Sequence, residues 1–232
     1  MKTLAYIFPA FLALAACSAD VQDENVGSND AALTSFTAAQ CQTPNVATQP
    51  KKDASGQEIP GTAKTTLSGC IVGKANETGA GVITRSVALL GNNAKLGAMT
   101  DGNDQPMFTE FTPVGPPSGQ LATGQTQDVD VVLNGDFDPK GRLRFTRKLN
   151  ADGTYNISIV NITPIKVAIL FFPVTGIETG NLKMDSKLTP QANGITVVGT
   201  SEVQLEQNQE QAAQSSTLVS DVFAWLTEEL AR

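Results

Sequence analysis

Three cysteines, no histidine and more acids than bases bound the chemistry open to this chain of 232 residues. Without imidazole there is no Ser-His-Asp triad, no Cys-His nucleophile pair and no zinc site built on histidine. The Ser-x-x-Lys and Gly-x-Ser-x-Gly spacings that activate a serine are missing, as is a phosphate-cradling Walker loop. Gly79-Ala80-Gly81 begins a Gly-x-Gly pattern, but Thr84 stands where the third glycine belongs, so a turn explains these glycines better. Carboxylates can do acid–base work alone, yet no pair stands out among the 23 acids. No catalytic residue and no cofactor are expected, and a carboxylate-dependent hydrolase is the one enzyme class left open.

Two acidic clusters have calcium-like composition: Asp101-Gly102-Asn103-Asp104, and Asn134, Asp136 and Asp138 at alternate positions. A calcium loop begun at Asn134 needs a glutamate where Phe145 stands, and Pro139 interrupts it, so solvated turns are the plainer expectation. Lys140, Arg142, Arg144, Arg147 and Lys148 form the basic counterpart. In strand phase Leu143, Phe145 and Leu149 face one way, and Arg142, Arg144 and Lys148 the other. Cross-strand pairing with Asp128, Asp130 or Asp136 accounts for most of these bases. Arg147 falls in phase with the apolar set, which suits a paired group or a cavity mouth, and an anion contact is its functional reading.

The cysteines divide by position. Cys17 follows an uncharged run from Thr3 to Ala16, preceded by Lys2. This is the plan of a secretory signal, and the apolar core is too short for the ~20 residues of a spanning helix. Leu14-Ala15-Ala16-Cys17 resembles the lipobox of bacterial lipoproteins, in which the peptide is cut before a cysteine that is then acylated. The resemblance implies lipidation at Cys17, residues 1–16 as signal peptide and a stable tether once two or more chains are attached. Ser18 follows the cysteine where an aspartate resembles an inner-membrane retention signal, so a lipid anchor in the outer membrane is expected. Removal of the leader takes Lys2 with it and lowers the net charge from −7 to −8. Such a chain repels nucleic acid. Cys41 and Cys70 form an even pair that an exporting cell can oxidise to a disulfide.

Other elements must position these groups. Residues 18–30 carry four acids and no base, the composition of a flexible tether, and 42–64 are polar with three prolines. A tether and polar loop are therefore expected over 17–64, with one globular domain over 65–232. Residues 65–74 suggest a strand, 82–91 a strand or a short helix, and 100–128 an extended loop region. Six strands follow in 128–133, 142–149, 154–162, 165–172, 180–185 and 194–206, with a hairpin turn at Asn150-Ala151-Asp152-Gly153. The run 165–172 is apolar on both faces apart from Lys166, which predicts a central strand. Leu218, Val222, Leu226 and Leu230, with Val219 and Phe223 beside them, make residues 213–231 an amphipathic helix, capped by Ser215 or Ser216.

Strands closed by one helix give an α+β domain, an antiparallel sheet with a C-terminal amphipathic helix packed on it. In element order, residues 128–231 resemble the helix-grip (START-type) domains. That resemblance implies a sheet wrapped around a long helix with an apolar cavity between them. The expectation is a non-enzymatic outer-membrane lipoprotein, a tethered domain for binding or envelope interaction. The alternative is a carrier of a small apolar ligand or lipid, its cavity lined by residues such as Ile157, Ile169, Phe171 and Phe223. Its partners would be the membrane, through the anchor, and an apolar ligand or envelope component.

Overall fold

The computed structural model describes residues 33–101, 103–115, 126–134, 138–169, 172–205, 212–213 and 216–232. Cys17, the acidic stretch 18–30, Asp136 and Phe171 lie outside them. The strands are β1 (Asn45–Gln49), β2 (Thr62–Val72), β3 (Phe108–Val114), β4 (Thr126–Leu133), β5 (Lys140–Leu149), β6 (Tyr155–Asn161), β7 (Ile165–Ile169), β8 (Phe172–Ile177), β9 (Leu182–Pro190) and β10 (Gly194–Gln204). They form one sheet in the order β1-β2-β10-β9-β6-β5-β4-β3, and its pairings are antiparallel. Helices α1 (Gly79–Leu90) and α2 (Asn93–Gly97) follow β2, and α3 (Leu218–Ala231) ends the chain. This is the α+β arrangement expected, a helix laid on an antiparallel sheet.

Alternation explains most of the sheet. In β10, Ile195, Val197, Ser201 and Val203 are buried while Val198 and Gln204 are exposed, and β6 buries Tyr155, Ile157 and Ile159 in the same way. The β5–β6 turn forms at the expected residues. Gly153 takes a φ of +79°, the Asn150 N–H donates to the Thr154 carbonyl at 2.8 Å, and the Asp152 carboxylate accepts from Thr154.

Of the two readings of 82–91, strand or short helix, the structure has the helix, which ends at Leu90: Thr78 caps α1, its hydroxyl accepting from the Gly81 N–H, and Val82, Ser86 and Leu90 lie buried at a spacing of four. Three expectations need correction. The loop expected over 100–128 contains β3 and the start of β4. Pro113 hid β3, but β3 closes one edge of the sheet path, where a missing N–H is tolerated. The run 165–172 is not one central strand. It is divided between β7 and β8, a hairpin off the main path that pairs with β5 at Lys140↔Lys166. Nor does Ser216 cap α3, which starts behind Thr217, and Ser215 lies outside the described residues. Ser216 is buried, its hydroxyl 2.8 Å from that of Thr65 and its carbonyl accepting from the Ser201 hydroxyl.

The polar stretch 42–64 also carries order. β1 pairs with β2 from Asn45↔Ser68 to Gln49↔Lys64, with all five of its residues exposed. The boundary expected at Thr65 falls inside β2, after β1 and ahead of α1 and α2.

Candidate functional site

Two glycines fix where α3 meets the sheet. A Cβ at Gly69 on β2 would stand 2.9 Å from the Phe223 ring, and one at Gly199 on β10 would stand 2.7 Å from the Val219 methyl. Both distances are below van der Waals contact, so the helix lies on these strands only because no side chain intervenes. Trp225, Leu226 and Leu230 extend the buried face of α3. Its C-terminus is held by Arg85 on α1, whose Nη1 donates to the Leu230 carbonyl at 2.6 Å.

On the other half of the sheet large side chains separate the layers, and a cavity of about 240 Å³ remains. Leu143 and Phe145 of β5, Ile159 of β6 and Leu182 of β9 form its floor. Met99, Met107 and Phe108 wall it on the loop side, and Leu218 and Val222 on the helix side. Phe145 packs edge-on against Phe111, and Phe111 against Phe108, with centroids 5.9 and 5.2 Å apart. Exposed Asn134 and Thr217 mark the mouth, together with Asp101 and Asp221. Both acids serve their own segments. Asp101 accepts from the Asn103 and Gln105 N–H groups at 2.8 and 2.9 Å, and Asp221 from the Thr217 hydroxyl at 2.8 Å. Among the described residues no base lines the cavity.

Of the expected liners, Ile157 and Phe223 are buried in the core but do not line the cavity, Phe171 lies outside the described residues, and the side chain of Ile169 lies outside the described ones. Periodicity identified the apolar faces of β5 and β6, but not Met99 and Met107, which flank the loop after α2.

Cys41 and Cys70 are joined by a disulfide with their Cα atoms 4.9 Å apart. Arg142 grips Asp130 through Nε and Nη2 at 2.6 and 3.1 Å, and Arg144 grips Asp128 at 2.7 and 3.0 Å, as register neighbours on β5 and β4. The hydrogen bond from Arg144 holds the Asp128 carboxyl below its usual range. Arg147, in contrast, is buried, and burial lowers the pKa of its guanidinium. Buried Tyr155 on β6 is pushed up to about 12, also by burial. On β10, Glu202 lies in register between Lys64 and Lys183 and pairs with both and with Lys51, at 3.4, 3.2 and 2.9 Å. Burial alone would raise its pKa, but the hydrogen bonds from Lys51 and Lys183 bring it down to about 2. Among the described residues no three acids or cysteines gather as a metal site would require.

No family model matches this chain, and no curated protein matches it in sequence. Solved structures share its outline. A STAR-related lipid transfer protein from Xanthomonas axonopodis aligns over 87 % of this chain and 98 % of its own, with 14 % identity and a TM-score of 0.49. A norcoclaurine synthase mutant from Thalictrum flavum aligns over 75 % and 98 %, with 12 % identity and a TM-score of 0.46. The protein Ara h 8.0201 aligns over 74 % and 99 %, with 12 % identity and a TM-score of 0.43. At these identities the likeness is one of outline alone.

Proposed function

We propose that this protein binds one small apolar molecule between α3 and the β5–β6 half of its sheet. The carrying observation is the cavity itself, about 240 Å³ with an apolar floor and polar groups gathered at its mouth. Drug-sized ligands occupy roughly 300–1,000 Å³, so this space suits a single chain or one ring system and is too small for a diacyl lipid. Asp101 and Asp221 share the rim, as a carboxylate-dependent hydrolase would require, but each is engaged by its own loop or helical turn. That engagement favours binding over catalysis.

The lipobox adds the setting. With Cys17 acylated, the domain works tethered to the bacterial outer membrane, where an apolar molecule can pass between bilayer and cavity. Native mass spectrometry of the protein purified from an oxidising periplasm tests the carrier reading. One adduct of single-chain or single-ring mass, lost when Ile159→Trp fills the cavity, supports it. A bare mass that stays bare with added ligands of that class overturns it. Cys17→Ala is expected to release the protein from the membrane fraction, and continued sedimentation with membranes would refute the anchor.

A further inference from the structure

Arg147 is 2 % exposed, yet among the described residues only its Nη1 has an acceptor, the Leu90 carbonyl at the C-terminus of α1. That contact caps the helix and accounts for one side of the guanidinium. Nε and Nη2 are buried with no partner among the described residues. The same Nε/Nη2 edge grips a carboxylate in Arg85 on Glu77, in Arg142 on Asp130 and in Arg144 on Asp128. Among the described residues no carboxylate pairs with Arg147. A buried cation with two unsatisfied donors is costly, and the partial charge of a helix end offsets only part of it.

Its place in the sheet indicates what would satisfy it. Arg147 shares a face of β5 with Leu143 and Phe145 of the cavity floor, about 7 Å beyond Phe145 along the strand. Opposite it on β6 stands Ile157, two residues before Ile159 of the same floor. Arg147 is not itself among the residues that line the cavity; it lies on the same face, at the next register pair of that face beyond the Phe145–Ile159 pair of the floor. At the mouth Asp101 and Asp221 would repel an anion.

We propose that Arg147 is the carboxylate receptor of this cavity, so that the ligand is a small apolar acid held head-inward by Nε and Nη2. This rests on the carrier reading and narrows it. The test uses the full-length chain with decanoate and 1-decanol as probes. Affinity is read by displacement of a naphthylamine dye, and contact by the ¹H–¹⁵N resonance of Arg147 Nε. Decanoate should bind about tenfold or more tightly than decanol, as a bidentate charged pair implies, and should alone move the Nε resonance. In Arg147→Met the preference for the acid should vanish while decanol binds as before. If both probes displace the dye alike and the Nε resonance stays still, the receptor role is wrong and the carrier reading survives. If neither probe displaces the dye, the carrier reading fails and takes this proposal with it. Should Arg147→Met not fold, the wild-type Nε resonance decides alone.

Discussion

The two halves of this sheet meet the same helix differently. Over β2 and β10, glycine at positions 69 and 199 lets α3 touch backbone, and the layers close. Over β5 and β6, Leu143, Phe145 and Ile159 fill the corresponding face, and a cavity stays between them and the start of α3. Helix and sheet are shared, so side-chain size alone divides a closed side from an open one. The closed side supplies stability, and the open side is where function can reside.

That division can be broken on the closed side first. Replacing Cys41 and Cys70 by serine removes a cross-link spanning 29 residues and should cost roughly 3–4 kcal/mol in urea unfolding, on the chain-entropy account. Gly199→Ala should cost about 2 kcal/mol, because the new methyl meets Val219, the Ser186 hydroxyl and the Asp185 carbonyl. If that variant unfolds like wild type, the glycine does not determine how close the helix lies. Enlargement on the open side sharpens the contrast. Leu182→Phe should change stability by less than about 1.5 kcal/mol while abolishing ligand uptake, whereas Leu67→Phe on the closed side should cost about 1–3 kcal/mol.

The smallest expected effect is electrostatic and also belongs to the closed side. Glu202 has its pKa depressed to about 2 in the folded protein, below its ordinary 4.5. A depressed carboxyl stabilises the fold above its unfolded pKa, and the contribution is lost as pH falls from about 4.5 towards 2. Glu202→Gln should lower the melting temperature by roughly 3 °C at pH 7 and flatten the acid limb of the melting profile. An unchanged acid limb would show that the three lysines do not act through this carboxylate.

The sequence disclosed whichever elements have a clean period. The half-buried strands β4, β5, β6 and β10 and the helix α3 show their faces in apolar spacing, and Asn150 to Gly153 announce a turn by residue type. Elements without such a period were missed. β1 is exposed on all its residues, and β3 holds Pro113 because an edge strand can. The run 165–172, apolar apart from Lys166, could not show that the chain reverses within it. The cavity was expected only through the helix-grip resemblance, and its boundary was not legible. Its place depends on Gly69 and Gly199, two residues with no hydropathy signal, bringing the helix down at one end. Arg147 was visible as a base in apolar phase, while its missing acceptor emerges only from the three-dimensional packing.

The Cys41–Cys70 bond also has a mechanical meaning. Ahead of it the chain is pinned to the β9–β10 hairpin by noncovalent contacts, Thr34 with Gln191 and Ala192, and Phe36 with Asn193. A pull from the N-terminal side would shear these first and then reach Cys41. From there the load enters Cys70 on β2 through a covalent link and bypasses β1 and the loop after it. Edge strand β1, whose exposed ladder would otherwise unzip one pair at a time, carries none of that tension.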